Sequence, residues 1–564
     1  MANTASTKSG SGKKAQVRSI PAKNAPQVEP PADLSERAWF IGVVVIFVIA
    51  AVLRLYDLNL VPLHHDEGVN GNFLLQLVRD GRYNYDPENY HGPTLYYFAA
   101  FFPWLVRMLF GKAAMENYGL TTVAIRMVPA LFGLATIWLI FLLRRWLGSV
   151  ATLSAALLLA ISPGAVYLSR YFIHETHFVF FTFAIVVSCL YLYENRNPVY
   201  LIPAAASAAL LFATKETAFI SVGVLIIALA MTFGYLLLRR GKVRPPQAKG
   251  RPQPEVWSLT DFIDDLGGPL LTGLCVVLAA ITFAGLYYLF YTSFTKNPKG
   301  LWDSFQTFAI WKRTSDLAHV HPIYTYVDWM LKREGALLLL GSLGALFIVV
   351  KPKNAFALFS ALWAFGLMAA YSLIGYKTPW LMLSFIVPLT LIAGYAVQAI
   401  YEMDGRQWRV TSVVLFLVVS FTAYQSFDLN FINYDNDDQR YVYVYAHTTR
   451  GILDLVKEID RIGNERGGGQ TGITIVSPDY WPLPWYLRGY SRVGYYGRMA
   501  PSIEPLIVAN VNQQPEIDAN FSQFYQQVRS NQQDGTFELR PGVKLLLYER
   551  RKDAVVTEPP AIIK

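Results

Sequence analysis

Five short polar clusters interrupt an otherwise apolar chain and hold the residues best suited to chemistry: HHDEG at 64–68, YHGPT at 90–94, SRYFIHETH at 169–177, TKET at 214–217 and GYKTPW at 375–380. A carboxylate such as Asp66, just after an apolar run, suits a general base for an acceptor hydroxyl, an effect of about 10² to 10⁴ in rate. The same residue also suits the cap of a helix running to Val78, with Glu67 favourable in its first turn. His64 and His65 beside two acids admit a divalent metal, but no third, separated ligand completes a metal pattern, so no cofactor is expected. Glu175, flanked by His174 and His177 and preceded by Arg170, reads as a second acid that orients a substrate while Arg170 contacts phosphate. It reads equally as an interfacial group at a span end. Lys215 and Glu216 sit in a tight hairpin with Thr217, either as ligands or as a local ion pair. Lys377, between two spans, is either a phosphate contact or an interface anchor.

The elements that must position these groups are membrane spans. The 564 residues are 53% hydrophobic and only 16% charged, well below the roughly 25% charge of soluble domains. A net charge of +9 would suit nucleic acid in a soluble chain. In a membrane chain basic residues collect on the cytoplasmic side instead, so no nucleic-acid partner is expected. Cys189 and Cys275 lie in uncharged apolar runs, which leaves no disulfide framework or CxxC site. Eleven runs are candidate helices: 38–53, 127–143, 147–169, 178–193, 197–214, 218–238, 268–291, 335–350, 354–376, 378–401 and 410–427, the shorter ones spanning with snorkelling or aromatic flanks.

Parity sets their orientation. With a cytoplasmic amino terminus and 94–106 not crossing, the inside connections are the basic ones: Arg144 and Arg145, the surroundings of Arg196, the segment 239–254, Lys351 with Lys353, and Arg406 with Arg409. All five polar clusters then fall outside. Outer loop 292–333, with an excess of bases, runs against the pattern. The polar residues gather at one surface rather than at mid-bilayer, which weighs against a solute transporter.

The chain divides into a disordered cytoplasmic tail (1–37), a transmembrane domain (38–427, with its first outer loop at 54–126) and a polar extracytoplasmic α/β domain (428–564). In the last, GITIVS at 472–477 and KLLLYER at 544–550 read as strands and 446–463 as a helix. DYWPLPWYLRGY at 479–490 offers Trp481, Trp485 and Tyr486, whose faces suit sugar rings but which a small domain also needs for its core.

DE at 66–67, HGPTLYY at 91–97, IRMVPALFGLATIWLIFLLRRWLG at 125–148 and SPGAVYLSRYFIHE at 162–175 resemble the multispan glycosyltransferases of the protein O-mannosyltransferase and aminoarabinose transferase type. The resemblance implies a GT-C fold with about eleven transmembrane helices and juxtamembrane helices in the first outer loop. It also implies a polyprenyl-phosphate-linked sugar donor, a glycan, lipid or protein acceptor reached from outside, and the first-loop acid as base. Asp66 then takes the base role with Glu67 in support, and His91 stands where relatives often carry a basic residue. HDEG with YHGPTLYY, HETH, KET, GYKTPW and WPLPWY together look like the family of flippase-activity-associated membrane proteins found beside archaeal protein N-glycosylation genes. HGPT in place of KPPL removes a lysine that could hold donor phosphate, and Arg170, Lys215 and Lys377 are the substitutes. The expected function is an inverting glycosyl transfer in the cell membrane; the alternative is a non-catalytic partner of a lipid-linked oligosaccharide flippase. Turnover of a lipid-phosphate sugar separates the two.

Overall fold

Ser35 opens the first span: its Oγ accepts the N–H of Ala38 at 3.2 Å, and Glu36–Leu55 (α1) follows without a break. The computed structural model describes residues 34–89, 91–111, 119–240, 259–314 and 319–554. The amino-terminal tail up to residue 33 and residues 241–254 of the basic loop therefore lie outside the described residues. After α1 come His65–Asp80 (α2), the apolar Thr94–Phe110 (α3) and the span Thr122–Phe141 (α4). The sequence places the start of α4 after the charge of Arg126. The helix begins a turn earlier because that charge is paired inside the protein with Glu67.

Ser149–Ile161 (α5) and Pro163–Ser169 (α6) form one apolar segment bent by 60°. Pro163 has no N–H to continue the helical ladder, so the break leaves polar backbone inside an apolar bundle. Two buried ionic side chains satisfy it. Arg54 donates to the carbonyls of Ala160 and Leu159 at 2.8 and 3.0 Å, and Glu334 accepts from the Ser162 hydroxyl and the Gly164 N–H, both at 2.8 Å.

Glu175–Asn195 (α7), Leu201–Phe212 (α8), Ala218–Arg240 (α9) and Gly268–Tyr291 (α10) continue the bundle. Lys299–Thr314 (α11) follows, then Thr325–Arg333 (α12) and Gly335–Val350 (α13), bent by 112° where Glu334 caps α6. Ala355–Leu373 (α14), Leu383–Met403 (α15) and Arg409–Phe427 (α16) complete it. Among the described residues eight helices are long and apolar enough to cross a membrane, ten when each bent pair counts as one span, and Pro198–Phe212 is a shorter apolar helix. Each of the eleven apolar runs is thus helical, and the chain is a multi-pass membrane protein. α15 is buried almost throughout and packs against α5, α13 and α14, whereas α10 lies on the rim against α8 with few of its residues buried.

The helix ends fall into two groups. At one end Arg144 pairs with Glu36, Arg145 with Glu194, the Asn354 amide reaches the Trp146 carbonyl, and Arg239 reaches the Val350 carbonyl. The five polar clusters gather at the other.

The carboxy-terminal part is a mixed sheet on that second end. Its strands are Ile473–Ile475 (β1), Val493–Tyr495 (β2), Leu506–Asn510 (β3), Tyr525–Val528 (β4), Phe537–Arg540 (β5) and Val543–Arg550 (β6). The order is β2-β1-β3-β6-β4, with β5 pairing the other half of β6; β1 runs parallel to β2 and β3, and β6 antiparallel to its partners. Gly451–Arg466 (α17) covers one face through Ile452, Leu455, Ile459 and Ile462, and Gln514–Phe521 (α18) covers the other through Ile517 and Phe521. The sheet is keyed to the bundle at α2, where a Cβ on Gly68 would meet Pro482 at 2.6 Å and one on Gly71 would meet the Trp485 ring at 2.5 Å.

Candidate active site

The site starts at the amino end of α2, where His64, not Asp66, supplies the cap. Nδ1 of His64 accepts the Asp66 N–H at 3.1 Å, so its proton sits on Nε2, which faces the Tyr445 carbonyl at 3.0 Å. Glu67 closes the capping box by accepting the His64 N–H at 3.0 Å. Glu67 is fully buried and also receives Arg126 (2.5 and 2.8 Å) and the Phe172 N–H at 2.8 Å. With every oxygen engaged, Glu67 holds the loop, α4 and the segment after α6 together, and it has no free lone pair for the support role expected of it. Asp66, in the first turn, has a half-exposed carboxylate with no side-chain hydrogen bond among the described residues. His64 Nδ1 lies 3.8 Å from it.

A cavity of about 400 Å³ opens beside Asp66 and joins all five clusters. His65 and Asp66 come from α2, His91 from the loop before α3, Glu175 from the start of α7, Lys215 and Glu216 from the α8–α9 turn, and Tyr376 and Trp380 from the connection before α15. Two of its acids are spoken for. Lys215 Nζ lies 2.5 Å from Glu175, and His91 Nδ1 lies 3.1 Å from Glu216. Burial opposes the Lys215 charge, but Glu175 and Glu216 outweigh it and hold the ammonium above its ordinary value. Burial likewise opposes ionised Glu216, and His91 with Lys215 overcomes it, so this carboxyl titrates below the usual range. Burial lowers the His65 imidazole, partly offset by Asp66, and pushes the Tyr376 phenol up to about 12.

The loop with His91 is fixed by close backbone approach. The Gly92 N–H donates to the Thr214 carbonyl at 3.0 Å, and a Cβ on Gly92 would lie 2.0 Å from the Ala213 carbonyl oxygen. HGPT thus docks on TKET through its glycine.

Several expected site residues lie elsewhere. Arg170, expected on phosphate, donates to the carbonyls of Leu53, Tyr56 and Asp57 at 3.2, 2.5 and 2.8 Å: it satisfies the open carboxy end of α1, and its guanidinium faces that end rather than the cavity. Lys377 is buried with Nζ on the carbonyls of His321 and Ile374 at 3.1 and 2.5 Å, so its charge serves the turn before α15. His174 is buried and meets the Gly92 carbonyl at 3.0 Å; His177 packs its ring on Phe132 at 4.0 Å. Trp485 is buried against α2, while the half-buried Trp481 sits 6.1 Å from the His65 ring, outside the cavity. Among the described residues no group of three or more His, Cys, Asp or Glu side chains converges as metal ligands. In HHDE the cap and the Arg126 pair draw His64 and Glu67 away from Asp66.

Glu88, Asn89 and His319 also line the cavity, and the sequence reading missed them. Glu88, on the short 3-10 turn Pro87–Asn89, is a second lining carboxylate with no side-chain hydrogen bond among the described residues. The signal for it lay in DPEN, immediately ahead of HGPT, where it counted only as loop charge.

The bundle and sheet superpose on known membrane enzymes. ArnT from Cupriavidus metallidurans aligns in the apo state with a TM-score of 0.58 at 15% identity, over 90% of this chain and 98% of that one. Its form bound to undecaprenyl phosphate aligns at 0.56 and 13% identity, over 91% and 98%. The fold is of the GT-C type. The Archaeoglobus fulgidus oligosaccharyltransferase, in complex with Zn and sulfate, gives 0.51 at 12% identity over 92% of this chain and 75% of that one. The sequence model of the dolichyl-phosphate-mannose-protein mannosyltransferase family matches residues 95–249, and no curated protein matches the chain. The GT-C fold expected from the resemblance is present, with the carboxy-terminal sheet seated on the site end.

Proposed function

We propose that the protein is an integral membrane glycosyltransferase that moves a sugar from a polyprenyl-phosphate carrier to a hydroxyl-bearing acceptor outside the cytoplasm. The observation that carries this reading is the Asp66 carboxylate, which makes no side-chain hydrogen bond among the described residues and stands at a helix amino end in a cavity lined by both polar and apolar residues. Asp66 accepts the acceptor's hydroxyl proton as that oxygen attacks the anomeric carbon. The bond from that carbon to the phosphate oxygen breaks, and the phosphate leaves with the electron pair. A single displacement inverts the anomeric centre. Lys215 is the one lysine lining the cavity among the described residues; it spends one N–H on Glu175 and has two left for the leaving phosphate. Ile173, Ile220, Ile374 and Leu381 supply apolar lining and suit the first isoprene units. Glu88 suits a hydroxyl of sugar or acceptor. The basic connections at the opposite end support a cytoplasmic placement of that end, with the site and sheet outside.

The deciding experiment is reconstitution into liposomes with radiolabelled polyprenyl-phosphate sugars. The expected result is label leaving the lipid for an acceptor. Binding of every such lipid without transfer would replace this reading with that of a non-catalytic partner of a lipid-linked oligosaccharide flippase. Cysteines placed near residue 500 and in 239–254 should label from opposite faces; labelling from one face would overturn the sidedness.

A further inference from the structure

Helix α11 carries its polarity the wrong way round for a segment facing water. Gly300, Asp303, Ser304 and Thr307 recur at helical spacing and are buried, whereas Trp302 (67% exposed) and Phe305 (57%) lie on the opposite side with Gln306 and Ala309. The inward face is held by specific contacts. Tyr287 donates its hydroxyl to Ser304 Oγ at 3.0 Å, the Tyr85 and Thr307 hydroxyls meet at 2.5 Å, and a Cβ on Gly300 would lie 2.1 Å from the Tyr291 carbonyl oxygen. In water this sorting would be unfavourable twice over, burying polar groups while leaving aromatic surface in contact with solvent.

The contacts also fix where α11 sits. Tyr287 and Tyr291 lie near the carboxy end of α10, a span with few buried residues, with Tyr288 itself 41% exposed. Trp302 and Phe305 are therefore level with the place where a lipid-facing span leaves the hydrocarbon, the depth that tryptophan and tyrosine favour. The collar continues onto α3, whose Tyr97 ring packs against Phe290 and Phe294 and whose Phe101 and Trp104 are exposed. The Phe305 ring lies 6.3 Å from the Tyr287 ring of α10, which ties the outward face of α11 to that span.

We propose that the Trp302–Phe305 face of α11 is seated in the interfacial layer of the bilayer. Through Tyr85 and Thr307 the seat adjoins the turn that carries Glu88 and Asn89 into the cavity. The test uses the full chain with Cys189 and Cys275 replaced by alanine, a single cysteine from Trp302→Cys, Phe305→Cys or, as a control on the sheet, Lys544→Cys, and an environment-sensitive NBD label on each. In vesicles of phosphatidylcholine and phosphatidylglycerol, labels at 302 and 305 should emit blue-shifted and be quenched at least twofold by lipid carrying a shallow doxyl group, the label at 544 by neither measure. Water-like emission at both 302 and 305 overturns the proposal. Blue-shifted emission without lipid quenching overturns it too, and assigns the face to a second copy or another protein. The readout needs no substrate, so its failure is distinct from a failure of the transfer assay.

Discussion

The backbone N–H of Asp66 donates to Nδ1 of His64 at 3.1 Å, so an imidazole caps α2 and the Asp66 carboxylate is left for other work. Asp66→Asn removes a proton acceptor while leaving the cap intact. Turnover of a polyprenyl-phosphate sugar should drop by about 10² to 10⁴, with donor affinity near that of the parent. The unfolding midpoint should move little, since no native hydrogen bond of that side chain is lost. Full transfer activity in the purified variant would remove Asp66 as base and make Glu88 the next candidate.

Glu67 and Arg126 are both buried and 2.5 Å apart. Arg126→Met leaves an unpaired carboxylate in a dry site and should cost about 3 to 5 kcal/mol. In detergent this reads as a lower unfolding temperature or loss of folded protein. The double variant Glu67→Gln, Arg126→Met removes the stranded charge and should recover part of the loss; no recovery would mean that the pair's other hydrogen bonds dominate.

Gly92 and the Ala213 carbonyl make the contact that seats the His91 loop. Gly92→Ala places a methyl 2.0 Å from that oxygen, and the two segments must part, at about 1 to 3 kcal/mol. His91 and Glu216 should separate with them, so activity should fall along with thermal stability. An alanine variant with unchanged midpoint and activity would refute the close approach.

The sequence made the scaffold legible because burial leaves a mark on composition: each apolar run became a helix, and polar clusters hundreds of residues apart converged at one end. Partner choice leaves no such mark. Glu67 and Asp66 are neighbours with similar sequence surroundings, yet one meets Arg126 from α4 and the other meets the cavity. Arg170 looked like a phosphate ligand because it stands five residues ahead of Glu175, which lines the cavity. The bend at Ser162–Pro163 instead aims it at the open end of α1. Lys377 was drawn in the same way to the carbonyls of Ile374, in its own turn, and of His321. Glu88 escaped notice because a carboxylate in a loop looks solvated until the fold turns it into a wall.

His174 gives the chain a pH dependence with a definite sign. It is buried, its Nε2 meets the Gly92 carbonyl at 3.0 Å, and Nδ1 has no hydrogen-bond partner among the described residues. Burial foremost, then the nearby His91, His177 and Lys215, hold the ring well below the ordinary histidine value. The unfolded chain takes a proton near pH ~6.5 that the folded chain refuses, so the unfolded state binds more protons below that value. Stability is therefore full above about pH 6.5 and falls as pH decreases toward the depressed folded value. The parent's unfolding midpoint should drop between about pH 7 and pH 5, and His174→Gln, which removes the titrating ring, should drop less. His447 and His65 are also lowered by burial, so some acid sensitivity should persist in His174→Gln. Equal drops in the parent and His174→Gln would show that His174 keeps the same proton affinity folded and unfolded.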